Sequence, residues 1–208
     1  MAIIFHEETR TWHLTNSQIS YIIRVMENGE LENLYMGSRI HDRDSFLHMH
    51  DREFRAHLAS CVPEPDLLGL QFTRQEYPSY GTGDFRSPAY SVLQENGSRI
   101  SHFQYTSHSI YPGKKSLDFL PAVYVTDPEE AETLEITLTD PVTGLQLTLS
   151  YSLFRDLPVI ARHAYFRNSG GQTLMLERAL SASFEFSDSD YRMFHLAGAW
   201  ARERYVKE

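Results

Sequence analysis

Two neighbouring runs in the second half of the chain alternate apolar and polar side chains with a period of two, and few folds accommodate that. From Thr133 the sequence reads TLEITLTD, and after DPVTG it resumes as LQLTLSYSLF. Successive side chains of a strand point to opposite faces, so Leu134, Ile136 and Leu138 share one face against Glu135, Thr137 and Thr139. Leu145, Leu147, Leu149, Tyr151 and Leu153 likewise oppose Gln146, Thr148, Ser150 and Ser152. A hairpin whose strands have one solvated face satisfies this pattern. Further strands are expected in PVIARHAYFRNSGGQTLMLERALSASFEF, broken at residues 168–171, and in ISYIIRVMENGELENLYMG, where Asn28-Gly29 supplies a hairpin turn. Asn96-Gly97 repeats that device, and no run of helical spacing is long enough to define a helix. The reading is therefore an all-β fold, a large antiparallel two-sheet sandwich, with 208 residues suited to a single domain over residues 1–208.

Charge narrows the partners. With 28 acidic against 19 basic side chains the formal charge is -9, which repels a phosphate backbone, so nucleic acid is not expected as a partner. Cys61 is the single cysteine and has no partner for an internal disulfide or a metal knuckle. The start, MAIIFHEETR, is too short in apolar residues for a secretory segment, and no stretch approaches the roughly 18 apolar residues of a membrane span. A cytoplasmic location without membrane contact is the expectation.

Three stretches stand apart from the strands. QEYPSYGTGDFRSPAY, from Gln75, combines tyrosines, a D-x-R triplet, prolines and glycines, either to stack on a sugar or to build a rigid loop. Residues 37–72 lack clean alternation, and about 35 residues without regular structure are uncommon unless functional. They hold His41, His48, His50 and His57 with Asp42, Asp44 and Asp51. On a strand, His48 and His50 would project from one face and could open a cupin-like metal site, although no third ligand follows at the usual spacing. Asp51, beside Arg52 or Arg55, could instead accept hydrogen bonds from vicinal sugar hydroxyls, or be an ordinary solvated loop residue. Near the end, GAWARER places Trp200 after two small residues, as a stacking platform or as an interdomain plug. The chain stops at Glu208 amid charged residues and is expected to continue in a longer protein.

RQEYPSYGTGDFRSPAY, then LPAVYV, EAETLEITL and HLAGAWARER, together resemble the amino-terminal domain of bacterial α-galactosidases of glycoside hydrolase family thirty-six, over residues 5–204. The resemblance implies a β supersandwich followed by a (β/α)₈ barrel, with retaining hydrolysis by two barrel aspartates whose carboxyl groups lie about 5 Å apart. No residue of this chain is then catalytic, and no cofactor is needed. D-F-R-S-P-A becomes framework, with Asp84 and Arg86 paired to each other or to backbone. Asp51 and Trp200 match family positions that line the galactose pocket. The implied substrate is an α-galactoside oligosaccharide such as melibiose or raffinose, and the implied assembly a homotetramer. A stand-alone carbohydrate-binding sandwich is the alternative.

Overall fold

Antiparallel meanders account for most of the chain. The computed structural model describes residues 1–50, 69–120, 122–186 and 189–208. In chain order the strands are β1 (Ala2–His6), β2 (Thr11–Thr15), β3 (Ile19–Val25), β4 (Leu31–Ser38), β5 (Tyr90–Gln94), β6 (Gln104–Pro112), β7 (Ala131–Thr139), β8 (Leu145–Phe154), β9 (Ile160–Asn168), β10 (Leu174–Ala179), β11 (His195–Ala199) and β12 (Arg202–Lys207). One sheet has the order β1-β2-β3-β4 and the other β6-β7-β8-β9. β5 pairs with β10, and β11 with β12.

The alternation read in the sequence is the alternation of the faces. β7 and β8 pair Leu134 with Tyr151, Ile136 with Leu149 and Leu138 with Leu147. These residues are buried in one core with Trp12, Leu14, Tyr21 and Ile23 of the first sheet, so the two sheets pack face to face. Both Asn-Gly pairs make turns in which only the glycine enters the left-handed region, Gly29 at φ 88° and Gly97 at φ 83°. The second turn departs from expectation in its consequence: β5 leads into it, but the ladder partner of β5 is β10, far along the chain.

Residues 39–50 contain no strand. They lie over the outer face of the first sheet, where Phe46, with Ile40 and Met49, packs on Ile22 and Leu34. Leu47–Met49 is a single 3₁₀ turn, so His48 and His50 do not have the strand geometry that would send both imidazoles to one side.

Among the described residues the acidic side chains Glu30, Glu32, Glu76, Asp84 and Asp140 are buried, and Glu76 and Glu30 show two ways of accommodating that burial. Glu76, fully enclosed, accepts hydrogen bonds from Tyr21 Oη at 2.8 Å and Asn33 Nδ2 at 3.1 Å in the first sheet. From the second sheet it receives Tyr151 Oη at 2.8 Å and an ion pair with Arg162 Nη1 at 2.7 Å. The N–H of that Nη1 is poorly aligned for a hydrogen bond, but Arg162 Nη2 donates to the Glu76 carbonyl at 3.0 Å. Burial, with the Glu76 charge adding to it, pushes the Tyr21 and Tyr151 phenols well above their usual range, so both remain protonated donors. Glu30 is different. Its burial raises the carboxyl from 4.5 to about 7, against opposing hydrogen bonds from Asn28 and Ser79. His102 Nε2 lies 3.5 Å from it, but burial pushes that imidazole down, so at neutral pH this is not an ion pair.

Removing one partner of a buried charge strands the other. Arg162→Met should therefore cost about 3 to 5 kcal/mol in urea unfolding of residues 1–208, against about 1 kcal/mol for Tyr21→Phe. A loss below that of Tyr21→Phe would show that the pair does not join the sheets.

Glu30 sets a pH dependence. A carboxyl whose pKa is raised on folding adds stability that is full below 4.5 and lost as pH rises through about 7. The lowered His102 imidazole works the other way as pH falls, so the comparison must be with Glu30→Gln. Relative to that variant, the wild type should gain about 2 to 3 kcal/mol between pH 8 and pH 5. Parallel stability curves for the two proteins would contradict the assignment.

Candidate functional site

The tyrosines of the turn-rich stretch do not form a sugar platform. Tyr90 is buried, Tyr77 stacks on it with ring centroids 5.8 Å apart, and Tyr77 Oη donates to the Leu180 carbonyl at 2.5 Å. Of the three, only Tyr80 is largely exposed. The D-x-R triplet is framework, as its spacing allows. Gly81 and Gly83, at φ 92° and 107°, turn the chain so that Asp84 is buried. Arg86 Nε and Nη2 then close on the Asp84 carboxylate at 2.8 to 3.1 Å, and Gln75 Nε2 donates to the same group at 2.7 Å. The guanidinium goes further, with Nη2 donating to the carbonyls of Leu70 at 2.9 Å and Thr73 at 3.1 Å, and Nη1 to Glu185 at 2.7 Å. A lysine could not make this set of contacts.

Residues 39–50 are pinned by histidines. Asp42 Oδ1 meets His13 Nδ1 at 2.7 Å and His6 Nε2 at 3.0 Å. Partial burial pushes the Asp42 carboxyl up, but the two imidazole contacts outweigh it and hold the group below its ordinary range. His13 Nε2 also lies 2.9 Å from Ser20 Oγ, giving a serine, histidine and aspartate in the order used by hydrolytic triads. The chemistry does not follow. Ser20 is 1% exposed, and its Oγ is held by the Ile40 N–H at 3.1 Å, so no substrate carbonyl can approach it. This triad fastens a strap to a sheet. Sequence reasoning missed it, because His6, His13 and Asp42 lie in separate elements with no spacing to mark them.

At the end of the strap, His50 Nδ1 meets Glu32 Oε1 at 2.5 Å, and the other Glu32 oxygen accepts from Arg24 Nε at 2.6 Å. His50 thus serves an internal carboxylate and not a partner imidazole, and among the described residues no three potential ligand side chains are placed to hold a metal. Asp51 lies outside the described residues.

Trp200 sits on the two-residue turn that joins β11 to β12, between the paired residues Ala199 and Arg202. It is 94% exposed, and Leu196, Tyr205 and Val206 of the same hairpin are also exposed. Ala201 and Arg204 adopt φ of 63° and 64°, a left-handed backbone that costs a non-glycine residue roughly 1 to 3 kcal/mol and clusters at functional sites. A large bare ring on a strained turn matches a surface built to meet something else.

Residues 29–208 match the family model described as the glycosyl hydrolase family 36 N-terminal domain. The chain is 41% identical over 207 residues to the alpha-galactosidase AgaA of Geobacillus stearothermophilus, covering 100% of this chain and 28% of that protein. Crystal structures of AgaA variants in complex with raffinose and with stachyose superpose on 95% of this chain, and 27% of theirs, at 42% identity with TM-scores of 0.87 and 0.86. The alpha-galactosidase AgaB of the same organism gives a TM-score of 0.88 at 43% identity, over 100% of this chain and 28% of that one. The Lactobacillus brevis alpha-galactosidase gives 0.92 at 36% identity, over 99% and 28%. The chain thus spans little more than a quarter of the length of these relatives. By sequence and by fold it belongs to the family of glycosyl hydrolase family 36 N-terminal domains.

Proposed function

We propose that this chain is the pocket-wall and assembly domain of an α-galactosidase that removes terminal non-reducing α-D-galactosyl residues from oligosaccharides of the melibiose and raffinose type. The nucleophile and acid/base of the retaining reaction belong to a barrel outside this chain. One observation carries the reading. The domain uses its enclosed carboxylates on itself: Glu76 on Arg162 and two tyrosines, Asp84 on Arg86 and Gln75, Glu32 on His50 and Arg24. None of these is free to act on a glycosidic bond, whereas Trp200 stands bare. The raffinose and stachyose complexes of AgaA support the substrate class.

Within this reading Asp51 accepts charge-assisted hydrogen bonds from galactose hydroxyls and Trp200 forms part of the pocket wall. Asp51 reaches the pocket of a neighbouring subunit in a tetramer, because a long segment on the first domain crosses a subunit boundary more easily than it folds back to its own barrel.

In the full-length enzyme, Asp51→Asn should lower kcat/KM about tenfold to a hundredfold, since each such hydrogen bond contributes roughly 1.5 to 3 kcal/mol. Trp200→Ala should raise KM and lower kcat/KM with the Tm unchanged. Subunits carrying Asp51→Ala, co-assembled with subunits lacking the barrel nucleophile, should recover activity. Wild-type kinetics for both single variants, or turnover of an aryl α-galactoside by residues 1–208 alone, would overturn the reading.

A further inference from the structure

The two sheets present opposite kinds of outer face. On the first, Phe46, Ile40 and Met49 pack over Ile22 and Leu34, so that face is apolar and covered. The outer face of the second is polar, and Tyr165 stands 60% exposed on it. Strand register lines up Ser109, Glu135, Ser150 and His163 across β6 to β9, and in the next row Ser107, Thr137, Thr148 and Tyr165. From the spacing of neighbouring strands and the rise along each, Glu135, His163 and Tyr165 mark out an area of roughly 10 Å by 7 Å, the scale of one or two sugar rings.

A solvated strand face needs only polar side chains, but this one also holds a pre-set cluster. Glu135, 21% exposed, accepts from Tyr111 Oη at 2.7 Å and, at each of its oxygens, from Lys115 Nζ at 3.1 Å. Lys115 Nζ lies 4.5 Å from the centre of the Tyr111 ring, so the carboxylate, the ammonium and the phenol fix one another. Burial, and after it the nearby Lys114, pushes the His163 imidazole below its usual range, so at neutral pH one ring nitrogen donates and the other accepts. Thr137, Thr148, His163 and Tyr165 make no side-chain hydrogen bond among the described residues. Lys115 meets the charge of Glu135, which leaves the cluster neutral. Free donors and acceptors beside a bare ring suit a sugar, whose hydroxyls do both and whose apolar ring face stacks on an aromatic. An anionic ligand would instead face the Glu135 carboxylate.

We propose that the outer face of the second sheet, between Tyr111 and Tyr165, is a second carbohydrate-contact surface that takes a neutral oligosaccharide. One sugar ring stacks on Tyr165, and the hydroxyls of the oligosaccharide meet Glu135, His163, Thr137 and Thr148. The inference rests on the substrate class proposed above and adds a site for it that performs no chemistry.

The test is a titration of isotope-labelled residues 1–208 with raffinose into the millimolar range, followed by amide NMR. Saturable shifts should centre on Thr137, Thr148 and Tyr165. Tyr165→Ala, on an exposed side chain, should weaken binding about fivefold with the Tm unchanged, and Tyr165→Phe, which keeps the ring, should retain most of the affinity. Thr148→Val, which keeps the shape and removes the hydroxyl, should weaken binding as well. Absent shifts, shifts confined to β11 and β12, or an unchanged affinity in Tyr165→Ala would overturn the proposal. The same amides responding to inorganic phosphate and not to raffinose would overturn it too, by showing an anion site. Residues 1–208 contain no barrel, so these outcomes leave the galactose pocket untouched, and that reading stands or falls with the full-length kinetics of Asp51→Asn and Trp200→Ala.

Discussion

The carboxylate of Glu76 is the interaction on which the rest of the structure depends. An ionised carboxylate removed from water is tolerated only when its lone pairs are occupied and its charge is met. Here Tyr21 and Asn33 supply donors from the first sheet, and Tyr151 and Arg162 from the second. The apolar faces of the sheets would associate without it, since area burial is indifferent to register. The hub adds direction, because the partners must arrive from both sheets in one arrangement. It also fixes the chain around Glu76, and that backbone carries Gln75 on one side and leads to Asp84 and Arg86 on the other.

From there the order of dependence runs outward. Gln75 and Arg86 hold the Leu70 carbonyl, and Glu32 bridges to Gln75 and holds His50. A domain built this way spends its buried carboxylates on geometry, and under the proposed function the reactive chemistry lies on a barrel outside this chain.

Legibility in the sequence followed the range of the contacts. The β7–β8 hairpin could be read because alternation is local and each tooth reports its own face. Asp84 and Arg86 could be paired because they are two residues apart. Glu76 could not be recognised as the hub, since a glutamate in a polar, turn-rich stretch looks solvated and its partners are scattered from Tyr21 to Arg162. The strap over the first sheet was illegible for the same reason, its pins being His6, His13 and Glu32 in three different strands. His48-x-His50 misled because that spacing means one face on a strand and different directions on a 3₁₀ turn. Asn96-Gly97 gave the turn correctly, but not the ladder, because the partner of β5 is β10.

The most direct measurement is a crystal structure of the full-length protein with its barrel nucleophile replaced and raffinose bound. The expected result has the Asp51 carboxylate within about 2.5 to 3.0 Å of a galactosyl hydroxyl and the Trp200 ring against the sugar, while Glu76, Asp84 and Glu32 keep their internal partners. A galactosyl group enclosed by barrel residues alone, with Asp51 and Trp200 both out of contact, would contradict the assignment of this domain to the pocket wall.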